Sequence, residues 1–72
     1  MPLIADRLEH LVQEMDESGV QFEDAVREFE KRFIARVLTR CKGNLTRAAD
    51  ALGVHRNTLT RKMVEYKIRR RT

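Results

Sequence analysis

The chain has 72 residues and a net charge of +4, from 15 Lys and Arg against 11 Asp and Glu, a size at which one small domain buries only about 60% of the surface its unfolded chain exposes. A single cysteine, Cys41, excludes an internal disulfide, and one Cys with two His (His10, His55) is no metal ligand set, so pairing with a second chain is the simplest source of further core. No apolar run exceeds three residues, which excludes a membrane span of about 20, and the opening Met1-Pro2-Leu3-Ile4-Ala5-Asp6 lacks a secretory apolar region, so the free thiol points to a reducing, cytoplasmic home.

The only proline is Pro2 and no stretch alternates β-branched residues, so the fold is expected to be all-α, with four helices in one domain over 1–72. The first helix is expected from Leu3 to Glu17, with Ile4, Leu8, Leu11, Val12 and Met15 on one face. Ser18-Gly19 stops it, because glycine accepts the left-handed conformation that follows a helix end. The second helix is expected from Phe22 to Cys41. Phe22, Val26, Phe29 and Phe33 form one stripe, and Ile34, Val37, Leu38 and Cys41 carry it around the helix. A helix of about 20 residues is about 30 Å long, too long for short neighbours to cover. This is a second reason to expect a dimer built on residues 3–41, with Leu8, Leu11, Phe22, Val26, Phe29, Phe33, Ile34 and Val37 as candidate dimer core. The C-terminal helices are expected to cover part of the stripe near Val37 to Cys41. Cys41 is expected to be a buried structural thiol and His10 a surface residue.

Lys42-Gly43-Asn44 breaks the chain, with Asn44 suited to cap the next helix. The third helix is expected from Leu45 to Leu52, with Leu45, Ala48, Ala49 and Leu52 inward. The fourth begins near His55 or Arg56 and runs to Tyr66, with Leu59, Met63 and Tyr66 inward. This is the layout of a helix-turn-helix over 44–68: a small residue, Ala49, where two helices cross, then Gly53 at a tight turn, with Leu52 and Val54 pinning the helices together. With Leu59 inward at ~100° per residue, Asn57, Thr60 and Arg61 point outward, and His55 and Arg56 lead from the helix start. Arg forks to guanine and Asn pairs with adenine in the major groove, while Thr hydroxyls and helix-start N–H groups suit phosphate oxygens.

Charge follows the same division. Residues 1–30 carry two basic and nine acidic side chains, a net −7, whereas residues 31–72 carry 13 basic and two acidic ones, a net +11. The basic half points to a polyanion partner, and with the helix-turn-helix face that partner is expected to be double-stranded DNA. RNA is disfavoured because there is no aromatic platform for stacked bases. Asp24, Glu28 and Glu30 stand without a nucleophile or histidine and read as a solvated helix face, and no phosphate-cradling glycine loop occurs. No enzyme activity, cofactor, metal or small-molecule substrate is expected. Residues 69–72 form a basic tail suited to phosphate attraction.

Gly43-Asn44-Leu45-Thr46-Arg47-Ala48-Ala49, then Leu52-Gly53-Val54-His55-Arg56-Asn57-Thr58-Leu59 and Arg61-Lys62, resembles the Fis family of bacterial DNA-binding proteins. That family also holds the C-terminal domains of NtrC-type activators. The resemblance is close over residues 29–68 and looser over 3–28. It implies a homodimer whose N-terminal helix pairs intertwine into a four-helix core and whose recognition helices enter successive major grooves, often of bent DNA. It thus implies a transcription regulator or nucleoid-associated protein. Carried over by position, it places His55 and Arg56 at base edges, and Asn44, Thr46, Thr58, Thr60, Arg61 and Lys62 at or beside the DNA backbone. Asn57 from the outward face completes the candidate base contacts, and Arg47 the candidate phosphate contacts. Two departures stand out: only two residues precede the first helix, leaving no room for an N-terminal arm, and Val64 and Glu65 occupy positions that are basic in the nucleoid protein. No GxxxxGK[ST] sequence marks an ATPase domain, so the expectation is a stand-alone protein or a freed activator domain. The alternative is an adaptor module acting through its acidic N-terminal helices.

Overall fold

The computed structural model describes residues 2–68, and the basic tail at 69–72 lies outside them. The described residues form four helices and no strand: α1 (Pro2–Glu17), α2 (Phe22–Arg40), α3 (Leu45–Leu52) and α4 (Arg56–Tyr66). The expected all-α fold is thus observed, with α2 ending one residue earlier than the periodicity suggests. Cys41 caps α2, donating its N–H to Val37 O at 2.9 Å. Lys42 then takes the left-handed conformation (φ 55°), ahead of Gly43.

The core is built where α2, α3 and α4 meet. The C-terminal part of α2 supplies Ile34, Val37 and Leu38, and its cap Cys41; α3 supplies Ala48 and Ala49; α4 supplies Leu59, which is 0% exposed. Leu45, Leu52, Met63, Tyr66 and Ile68 pack around them, half-buried. The alanines allow the close crossing, since a larger side chain there would hold the helices apart. Cys41 is a buried free thiol, as its place on the apolar stripe predicts.

α1 makes little contact with the other three helices. Its apolar residues Leu3, Ile4, Leu8, Leu11 and Val12 are exposed, and so are Phe22, Val26, Phe29 and Phe33 on the first half of α2. The radius of gyration, 13.7 Å, exceeds the about 11 Å of a compact chain of this length. Ile34 and Val37 differ from the rest of the expected dimer core: α3 and α4 already bury them within one chain. The handover from exposed to buried apolar surface along α2 falls between Phe33 and Ile34.

Candidate nucleic-acid interface

Local capping fixes the two helices that would face a nucleic acid. Asn44 is extended (φ −77°, ψ 106°) and its side-chain Oδ1 accepts from the Arg47 N–H at 3.1 Å, satisfying an N–H that α3 cannot. Its amide NH2 is left to donate outward. α3 ends at Gly53, whose φ of +73° lies in the left-handed region where a side chain strains the backbone. The Gly53 N–H reaches Asp50 O at 3.1 Å and the Val54 N–H reaches Ala49 O at 3.0 Å, which turns the chain sharply into α4.

Val54, just after the turn, is partly covered. It is 38% exposed and lines a shallow hollow of about 240 Å³ with Phe29, Phe33, Leu52 and Leu59. Leu59, with no exposed surface, lies in the core that joins α4 to α2 and α3.

His55 caps α4: its Nδ1 accepts from the Asn57 N–H at 3.1 Å. With Nδ1 engaged in the cap, Nε2 is the ring nitrogen left for an outside partner. Arg56, Asn57, Thr60 and Arg61 are exposed, as are Asn44, Thr46 and Arg47 at the start of α3, while Thr58 is half-buried. The Thr60 hydroxyl donates to Arg56 O at 3.0 Å, so its proton is already engaged within the helix and only its oxygen faces out. Among the described residues, Arg47, Arg56 and Arg61 carry no ion pair. The result is an open face holding three unpaired guanidinium groups, a histidine ring and two amide side chains.

Lys62 departs from this group. Its Nζ lies 2.7 Å from Glu30 Oε1 on α2, and the Tyr66 hydroxyl donates to the same oxygen at 2.5 Å. The ammonium also sits 6.0 Å from the Tyr66 ring centroid. Glu30 is therefore half-buried rather than part of a solvated face. The bonds from Lys62 and Tyr66 hold its carboxyl below the usual carboxylate range, and the hydrogen bond to Glu30, with burial and the Glu30 charge, pushes the Tyr66 phenol up to about 12. Nothing local in the sequence announces this cluster, because it depends on how α4 lies across α2. The other ion pair among the described residues, Arg32 to Glu28 at 3.7 Å, is a surface pair one turn apart on α2.

No three His, Cys, Asp or Glu side chains among the described residues are grouped to hold a metal. No helix among them is long and apolar enough to cross a membrane.

Two short helices joined at a left-handed glycine, the second capped by a histidine and exposed along its polar face, define a helix-turn-helix protein. The chain belongs to the Fis family of bacterial regulatory proteins, whose sequence profile matches residues 25–66. The matched stretch covers most of α2 and all of α3 and α4, the helices that share the core, and leaves out α1. The chain is similar to two proteins described as Fis-like DNA-binding proteins, both from Xylella fastidiosa. With that of strain Temecula1 it shares 49% identity over 41 residues, 57% of this chain and 46% of the relative. With that of strain 9a5c it shares 49% identity over 39 residues, 54% of this chain and 43% of the relative. The match thus spans less than half the length of either relative. No solved structure gives a significant match.

Proposed function

We propose that this chain is a homodimeric regulator that binds double-stranded DNA in the bacterial cytoplasm, one α4 in each of two successive major grooves. The observation that carries the reading is the open face of α3 and α4, where Arg47, Arg56 and Arg61 stand exposed and unpaired beside His55 and Asn57. A helix of 11 residues fits the major groove, and its N-terminal side chains lead toward base edges. Arg56 and Asn57 read bases by paired hydrogen bonds, and His55 presents Nε2 to a base or phosphate. Asn44, Thr46, Arg47, Thr58 and Arg61 hold phosphates, with Thr60 beside them. The apolar residues left open on α1 and on the first half of α2 form the dimer contact. Successive major grooves lie about 34–36 Å apart, one turn of DNA, and a dimer whose reading helices stand closer would be met by bending the duplex.

Selection of bound duplexes from a random pool, followed by anisotropy titrations across salt, tests this. Two half-sites about one helical turn apart are expected. If the dimer neutralises roughly 6–10 phosphates, affinity drops ~10³–10⁵-fold between about 50 and about 200 mM salt. Arg56→Ala is expected to lose about 1–3 kcal/mol of discrimination at one base pair in each half-site. A salt-independent affinity, or a selection yielding no shared sequence, refutes the reading. The exposed phenylalanine face also favours a second reading, an adaptor that docks another protein. A pulldown that survives Arg56→Ala and Arg61→Ala but is lost with Phe29→Ala, in a variant that still dimerises, supports it.

A further inference from the structure

We propose that Glu30 is a positioning residue for α4: its carboxylate clasps Lys62 and Tyr66 one helical turn apart, setting the recognition helix against α2 and withholding Lys62 from DNA. The inference rests on the DNA-binding reading above and assigns one of its cations a different task.

Three observations converge. First, one oxygen of Glu30 receives both donors, from Lys62 Nζ at 2.7 Å and from the Tyr66 hydroxyl at 2.5 Å. Residues four apart lie on the same face of a helix, so the two bonds resist both rotation and sliding of α4 along α2. Second, the cluster is partly sheltered, with side-chain exposures of 28% for Glu30 and 31% for Lys62. Charge-assisted bonds there are stronger and less screened than surface pairs. Third, α4 is otherwise held by apolar contacts around Leu59, Met63 and Tyr66, and these are non-directional. A lone carboxylate with two donors supplies the directional restraint that packing lacks. It also neutralises Lys62 internally, unlike Arg47, Arg56 and Arg61. Contact with a phosphate would require Lys62 to leave an existing counter-ion, and Tyr66 would then be the sole donor to Glu30.

The test uses the full chain and the variants Glu30→Ala, Glu30→Gln and Lys62→Met, with a selected duplex and a random-sequence duplex. Lys62→Met is expected to leave the log–log salt slope unchanged; a phosphate contact would instead reduce it by about 0.9 per protomer, which overturns the proposal. Glu30→Ala is expected to lower the selected-to-random affinity ratio about tenfold without weakening random-duplex binding, since misplacement harms base contacts while the freed Lys62 adds phosphate attraction. Glu30→Gln keeps an acceptor and is expected to recover most of that ratio. An unchanged ratio in Glu30→Ala overturns the proposal. Tyr66 is the only tyrosine and there is no tryptophan, so ultraviolet titration of tyrosinate reads the clasp without DNA. Ionisation is expected near 12 in the parent and nearer the ordinary value of about 10 in Glu30→Gln. A parent phenol titrating near about 10 overturns the clasp. A parent that binds no DNA fails the underlying reading, whereas a parent that binds beside a Glu30→Ala variant of equal selectivity fails this inference alone.

Discussion

Phe29→Ala is the sharpest test of the apolar face. Phe29 is 58% exposed within one chain, and its ring lies 5.4 Å from that of Phe33. An aromatic side chain covers about 150–250 Å², so the open part of Phe29 is on the order of 100 Å². Covering it is worth about 2.5 kcal/mol at about 25 cal/mol per Å². In a two-fold dimer each residue counts twice, so the variant loses about 5 kcal/mol. At about 1.4 kcal/mol per decade the dimer Kd rises by between three and four decades. Differences between variants track buried area better than absolute affinities do. Sedimentation velocity from micromolar to millimolar concentration measures both proteins. The parent is expected to sediment as a dimer throughout and Phe29→Ala to dissociate within the range. Val64→Ala, which trims a still more open apolar residue on α4, serves as control and is expected to leave the dimer intact. A parent that remains a folded monomer at the highest concentration refutes the reasoning, and so does a Phe29→Ala dimer as tight as the parent.

Three further outcomes follow from the same packing. Leu59→Ala empties a site with no exposed surface and is expected to cost about 2–5 kcal/mol, a large share of the about 4–11 kcal/mol available to a domain of this size, measurable by urea unfolding at fixed protein concentration. Asn44→Ala removes the α3 cap and is expected to cost about 1 kcal/mol; unchanged stability would show that water replaces the bond. Stability is expected to fall at both ends of the pH scale through the Glu30 cluster. Because the Glu30 pKa is lowered on folding, its contribution is complete above the unfolded value of about 4.3 and is lost as pH falls through the folded value. Because the Tyr66 pKa is raised to about 12, its contribution is complete below about 10 and is lost as pH rises from there through about 12. Circular dichroism melts of the parent and Glu30→Gln check this, the variant showing the flatter profile.

The parts of the fold that were legible in the sequence are those set by contacts a few residues apart. α3 begins after Asn44 and ends at Gly53 because an acceptor side chain and a residue free to take positive φ sit at the two ends. Leu59 was readable as inward because helical spacing alone fixes its face. The start of α4 was readable within one residue, but not that the His55 ring itself makes the cap. The misread positions depend on distant partners. Glu30 looks like any exposed helical acid until α4 crosses α2 and brings in residues 32 and 36 positions away. Periodicity assigns a face to each residue but not the angle between two helices, and that angle decides whether Lys62 meets a carboxylate or the open side.

α2 therefore carries two surfaces with different obligations. Its C-terminal part, from Ile34 to its cap Cys41, is core to α3 and α4, while its first half leaves Phe22, Phe29 and Phe33 open. Glu30 sits one turn before the changeover, where apolar packing onto α4 gives out and a charged bond takes over. In the proposed dimer the partner would pack against the first half of α2, so the direction of each α2 sets where its α4 points. The about 34–36 Å spacing of successive grooves leaves little tolerance for error. Over the 11 residues of α4, roughly 16 Å at 1.5 Å each, a tilt of about 10° moves the far end by about 3 Å, the length of a hydrogen bond. Apolar packing tolerates such a tilt at small cost, whereas two donors fixed on one carboxylate oxygen do not. Half-site spacing is thus expected to depend on Glu30 even though that side chain faces away from the proposed DNA contact.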